Sequence, residues 1–90
     1  MILSRNLANL LFCYDPVSGD LLHNFGLSKG DVAGYDAHGR RYVWIDGRPY
    51  PYWKIIAVIL LDEMPRSVRF IDGNQLNTSR KNLKFIKPTI

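Results

Sequence analysis

Residues 52–63, Tyr-Trp-Lys-Ile-Ile-Ala-Val-Ile-Leu-Leu-Asp-Glu, run without glycine or proline and stay apolar on nearly every side until Asp62 and Glu63, with Pro65 just beyond. That length favours a helix over a strand, and a helix apolar all round must be covered on several faces. The segment therefore predicts a buried central helix over residues 53–63, with a strand as the alternative because of its β-branched content. The uninterrupted apolar run, residues 55–61, is seven residues long. A membrane span needs roughly twenty, so no membrane role is expected.

A chain of 90 residues supports one core of this kind, and a single domain over residues 1–90 is expected. Its 47% hydrophobic and 12% aromatic content suffices to fill that core, as disordered chains cannot. Ser4 precedes Leu7, Leu10 and Leu11 at helical spacing, which predicts a helix or arm within residues 1–11. Residues 12–52 read as strands. A hairpin flanks the turn-rich Asp15-Pro16-Val17-Ser18-Gly19-Asp20, and a three-stranded antiparallel sheet follows over about residues 31–52. Its parts are a strand at residues 31–34, a turn through Asp36, His38 and Gly39, the alternating Arg41-Tyr42-Val43-Trp44-Ile45, and Asp46-Gly47, which suits a tight hairpin turn. After Pro65, Val68-Arg69-Phe70-Ile71 reads as a strand and Asp72-Gly73-Asn74 as a turn. Residues 77–83 read as a short capped helix, and Lys84-Phe85-Ile86 as a closing strand. The expected class is α+β.

The formal charge is +4, and it is unevenly spread. From Arg66 onward, Arg66, Arg69, Arg80, Lys81, Lys84 and Lys87 face Asp72 alone, a net +5, whereas residues 1–65 carry a net −1. Such asymmetry is the footprint of an anion-binding face, nucleic acid being the commonest partner, with a solvated basic tail as the alternative. Cys13 is the only cysteine, so no internal disulfide or cysteine-based zinc cluster can form. No secretory leader is evident either, and a reducing, cytoplasmic location is expected.

Several local patterns point one way. Tyr14-Asp15-Pro16-Val17-Ser18-Gly19-Asp20-Leu21, Gly30-Asp31-Val32-Ala33-Gly34 and Ile45-Asp46-Gly47-Arg48-Pro49-Tyr50 follow one another, and the last quarter holds Ile71-Asp72-Gly73-Asn74, Asn77 and Asn82-Leu83. In this order and spacing, over roughly residues 12–87, the chain resembles the HNH (His-Me finger, ββα-metal) homing endonucleases of phages and mobile elements. The resemblance implies a degenerate ββα motif over residues 68–87. In that family the buried helix opens on a histidine, where this chain has Trp53. The nuclease motif reads Val-Asp-His-Ile-Asp-Gly-Asn, where this chain has Val68-Arg69-Phe70-Ile71-Asp72-Gly73-Asn74.

The departures decide the chemistry. An HNH nuclease uses the motif histidine to activate water and the adjacent aspartate to hold a divalent metal. Phe70 accepts no proton, Arg69 repels a cation, and Trp53 removes the upstream histidine. The resemblance thus implies an inactive homologue, with no metal or cofactor expected and no catalytic residue. The two histidines, His23 and His38, fall on expected exposed hairpins outside the motif, where a lone histidine is usually solvated.

Candidate binding residues are Arg69, Arg80, Lys81, Lys84, Lys87, Lys54, Arg41 and Arg48. The motif remnants are Trp53, Phe70, Asp72, Gly73, Asn74, Asn77 and Asn82. Arg69 has two open readings, a fixed charge in the former metal position or an outward strand residue. Asn77 and Asn82 are expected to cap the short helix and tie it to the turn, and Asp72 to serve the Asp-Gly turn. Tyr42 and Trp44 are assigned to the core. Tyr50 and Tyr52 are the more open, beside Arg40, Arg41 and Arg48, where aromatics can stack on bases or anchor a protein.

The function expected is non-catalytic binding of nucleic acid, DNA above all, by a monomer or small homo-oligomer. The alternative is a phage inhibitor that binds the acidic surface of a host defence enzyme, and residual metal-dependent cleavage comes last.

Overall fold

The computed structural model describes residues 3–87; residues 1 and 2 of the expected N-terminal arm lie outside them. Helix α1 (Arg5–Leu11) is capped by Ser4, whose hydroxyl accepts from the Leu7 amide at 3.1 Å. Strands β1 (Phe12–Tyr14) and β2 (Leu21–His23) form the expected hairpin. A second antiparallel sheet joins β3 (Tyr35–Ala37), β4 (Arg40–Ile45) and β5 (Arg48–Pro51) in that order. Helix α2 (Tyr52–Leu61) follows, then a third antiparallel pair of β6 (Ser67–Phe70) and β7 (Leu83–Ile86). The fold is α+β.

Both tight turns of the central sheet are two-residue connections. His38-Gly39 has φ of 54° and 74°, and Asp46-Gly47 has 52° and 76°. Positive φ at both central residues is what a type I′ hairpin turn requires, because its twist matches that of the strands it joins. Strand β3 begins later than the sequence predicts. At Gly34 φ is 93°, and a Cβ there would collide with the Tyr42 carbonyl oxygen, so the chain breaks direction at that point. Residues 31–33 instead run along the free edge of β2, where His23 donates to the Asp31 carbonyl at 2.9 Å and Ala33 to the Leu21 carbonyl at 2.7 Å.

Helix α2 is buried as expected: Tyr52, Ile55, Ile56, Ala57 and Val58 are enclosed, and Trp53, Lys54, Ile59, Leu60 and Leu61 are half-buried. It ends one turn before Pro65. Asp62 adopts the left-handed conformation (φ 56°) and closes the helix with its amide on the Val58 carbonyl at 3.0 Å, which leaves Glu63 outside. Ala8 of α1, Phe12, Leu21, Val43, Ile45 and Leu83 pack around it. No helix among the described residues is long and apolar enough to cross a membrane.

The assignment of the aromatics is corrected in two respects. Tyr52, expected to be open, is the largest fully buried side chain, at 1% exposure. Its hydroxyl accepts from the Leu21 amide at 2.7 Å and donates to the Ala33 carbonyl at 2.8 Å, so one phenol joins α2 to β2 and to its neighbouring segment. Trp44, expected in the core, is 56% exposed. Side chains alternate across a strand, and since Val43 and Ile45 of β4 point inward, Tyr42 and Trp44 must point out.

The Tyr52 hydroxyl sets a testable expectation. Tyr52→Phe removes the partner of a buried amide, which costs about 1–3 kcal/mol. In a domain of this size each kcal/mol lowers the melting temperature by roughly 4–8 °C, a drop that a thermal melt followed by circular dichroism will show.

Candidate functional site

The loop between β6 and β7 carries the motif remnants from Asp72 to Asn82, and its shape comes from side chains rather than from a helix. Asp72 is the hub. Its Oδ1 accepts from the Asn74 amide at 2.8 Å and from Asn82 Nδ2 at 2.9 Å, and its Oδ2 accepts from Asn77 Nδ2 at 2.9 Å. Asn82, buried at 6% exposure, also accepts from the Asp72 amide at 2.9 Å and donates to the Asn77 carbonyl at 2.8 Å. Asn74 Oδ1 receives the Leu76 amide at 3.0 Å, and Gly73 takes the positive φ of 77° in the turn.

The tie expected of Asn77 and Asn82 is therefore present, but the capped helix over residues 77–83 is not. Only a three-residue 3-10 turn, Arg80–Asn82, forms, and its N-cap, Ser79, makes no side-chain cap bond. The Asn77 amide is spent on Asp72 and its carbonyl on Asn82, and Leu83 is already paired with Phe70 in the sheet. The helical part of the expected ββα unit is thus reduced, among the described residues, to this turn between two strands.

The loop is clamped to the β1–β2 turn. Thr78, buried at 1% exposure, donates its hydroxyl to the Gly19 carbonyl at 2.7 Å, and its own carbonyl accepts from the Tyr14 hydroxyl at 2.6 Å. The Arg80 amide donates to the Pro16 carbonyl at 2.8 Å. Burial pushes the Tyr14 hydroxyl up to about 12. Gly19, at φ 83°, lies so close to Thr78 and Ser79 that a Cβ would overlap their backbone.

Arg41 proves to be an internal strut rather than a binding residue. Its side chain is 13% exposed. Nη2 pairs with Asp20 at 3.0 Å, Nε with Asp36 at 3.3 Å, Nη1 donates to the Thr78 hydroxyl at 3.0 Å, and the guanidinium lies 4.2 Å from the Tyr52 ring centre. All of its charge and most of its donors are occupied, leaving little for an external anion.

The other candidates fall into separate places. Arg69 and Lys84 stand directly opposite each other in the β6–β7 register, both exposed, while Val68, Phe70, Leu83 and Phe85 occupy the inward face. Arg80 folds onto that inward side, donating to the Leu83 carbonyl at 3.2 Å with its guanidinium 5.8 Å from the Phe85 ring centre. Lys81 and Lys87 are exposed. Lys54 is half-buried on α2, with its ammonium 5.6 Å from the Trp53 ring centre, and Arg48 is exposed after the β4–β5 turn.

Trp53 and Phe70, the positions where the resemblance would put histidines, line one cleft of about 80 Å³ together with Arg40, Tyr42, Tyr52 and Gln75. Arg69, adjacent in the strand, points the other way, so it does not fill a metal position in that cleft. His38 is exposed, and His23 is half-buried with its ring 6.0 Å from Phe12, so neither faces the cleft. Among the described residues no three His, Cys, Asp or Glu side chains converge to hold a metal ion. The chain matches no family model, no curated protein and no solved structure.

The Asp72 hub makes the loop sensitive to acid. The Asn77 amide, then the Asn74 backbone amide and the Asn82 side chain, hold its carboxyl below the ordinary value of 3.8. A carboxyl whose folded value lies below its unfolded one stabilises the fold above the unfolded value, and that contribution is lost as pH falls through the folded value. Asp15 is shifted the same way by the Val17 and Ser18 amides, so the two must be separated. The melting temperature is expected to fall less between pH 6 and pH 3 in Asp72→Asn than in the parent. Equal falls would remove Asp72 as a cause.

Proposed function

We propose that this chain is a non-catalytic nucleic-acid-binding protein on an HNH-endonuclease-like scaffold, holding DNA against the outward face of β6 and β7. The observation that carries the reading is the Arg69–Lys84 pair. Two cations directly opposite in an antiparallel ladder repel each other, and neither has an ion-pair partner among the described residues. An anion set between the two heads removes that repulsion, and a phosphodiester backbone offers a row of such anions. Exposed Lys81 and Lys87 add to the same C-terminal charge.

The absence of cleavage in this reading rests on residue chemistry. Trp53 and Phe70 meet in one cleft, and neither an indole nor a phenyl ring takes a proton from water. The Asp72 carboxylate is already engaged with Asn74, Asn77 and Asn82. The meeting of Trp53 and Phe70 in the cleft, and the intact frame from Ile71 to Leu83, support descent from a nuclease scaffold.

Affinity for a DNA duplex, measured by fluorescence anisotropy, is expected to fall linearly with salt on a log–log plot. Arg69→Ala and Lys84→Ala should each reduce the magnitude of that slope by about 1 and weaken all sequences similarly. An unchanged slope in the double variant would remove this face from the interface. Supercoiled plasmid incubated with the protein and magnesium or manganese should remain uncut, and accumulation of nicked circles would reject the non-catalytic reading.

A further inference from the structure

The outward face of the β3–β4–β5 sheet carries aromatic planes on a surface separate from the C-terminal pair. Tyr42 and Trp44 point out from β4, the register sets Tyr35 against Tyr42, and Pro51 and Pro49 of β5 stand opposite Tyr42 and Trp44. The Tyr35 ring stacks on both neighbours, its centre 5.6 Å from Tyr42 and 6.0 Å from Trp44, with planes inclined by 25° and 27°. Trp44 is 56% and Tyr35 37% exposed. Rings that hold one another in place on a sheet are ordered before any ligand arrives, which lowers the entropy lost on binding.

The charge of this face is one-sided. Arg40, opposite Ala37, lies on the same side as Tyr42 and is exposed, whereas Arg48, opposite the inward Ile45 at the start of β5, belongs to the other side. The only acidic residue in the three strands, Asp36, pairs with Arg41 on the other side of the sheet, and Asp46 sits apart in the turn. Arg40, Tyr42 and Pro51 also line the cleft with Trp53, so the platform runs into it without a break.

We propose that this face is a stacking platform for single-stranded nucleic acid, with bases laid on Trp44, Tyr35 and Tyr42 and phosphates drawn to Arg40. Planar, near-parallel rings bordered by a guanidinium match a strand whose bases are exposed and whose backbone is anionic. A duplex keeps its base faces stacked inside and has nothing to lay on the rings. The platform shares no residue with the Arg69–Lys84 face, so each stands without the other.

The test uses short dye-labelled thymidine and adenosine oligonucleotides, single-stranded and as duplex, with anisotropy and tryptophan quenching as readouts. Trp53→Phe serves as the background, so that the emission comes from Trp44. The expected result is quenching by single strands, and a loss of single-strand affinity of about five- to a hundredfold in Trp44→Ala, with Trp44→Phe retaining most of it and duplex affinity unchanged. Thermal melts of Trp44→Ala verify the fold, and Tyr35→Ala provides a second variant should it fail. Single-strand binding equal to the parent in the folded variants, or none in the parent, overturns the proposal. Concentration-dependent self-association abolished by Trp44→Ala would assign the face to a second copy, and a protein ligand displaced by that variant while single strands bind normally would assign it to a protein; either overturns the proposal. Loss of the salt-slope effect at Arg69 and Lys84, with single-strand binding intact, would remove the C-terminal face alone.

Discussion

The guanidinium of Arg41 is the point at which the separate pieces of this small protein meet. It reaches Asp20 at the end of the β1–β2 turn, Asp36 on the neighbouring strand, the Thr78 hydroxyl in the C-terminal loop and the face of Tyr52 at the start of α2. Two of the three sheets are two-stranded pairs, marginal by themselves in water. One planar group with five donors in fixed directions joins them, and lysine, a single point charge, does not reproduce that geometry. Among the described residues no buried side-chain polar atom is left without a partner, so the polar joints between the sheets are satisfied as fully as the apolar core is packed.

Around that strut the β6–β7 loop is held by amides and one carboxylate. Asp72, Asn74, Asn77 and Asn82 use their hydrogen-bonding groups on one another and on the loop backbone. In this loop one carboxylate and three side-chain amides, rather than a helix, set the backbone path. The motif remnants from Asp72 to Asn82 are here engaged with one another by local hydrogen bonds. The charged groups that remain open to solvent, Arg69 and Lys84 above all, lie on the other face of the strand pair.

The strong local signals were legible in the sequence. The unbroken apolar stretch gave α2, Asp46-Gly47 and His38-Gly39 gave the turns, and Ser4 gave the first cap. The features less legible there depend on partners far along the chain or on the alternation of a single strand. Arg41 looks free because Asp20 and Thr78 lie 21 and 37 residues away. Tyr52 looks open because nothing nearby announces the Leu21 amide, 31 residues distant, that takes its hydroxyl. Trp44 is legible from the alternation: Val43 and Ile45 on either side fix the inward face of β4, and the size and apolarity of an indole do not override its place on the other face. The loop helix does not form because asparagines good at capping are equally good at replacing a helix with turns of their own.

The clasp between Tyr14, Gly19 and Thr78 has a consequence for the order of assembly. Its hydrogen bonds join residues 59 and 64 positions apart, so nearly the whole chain must be in place before they close. Contacts of such long separation carry a large loop-closure entropy and reward the chain late. The hairpins and α2 rest on neighbours in sequence and can form early, whereas the C-terminal pair reaches the body of the protein through this clasp, the Arg80 amide on Pro16, Arg41 and the core contacts of Leu83, Val68, Phe70 and Phe85. The surface that presents Arg69 and Lys84 is therefore the last to be fixed in position as the chain folds.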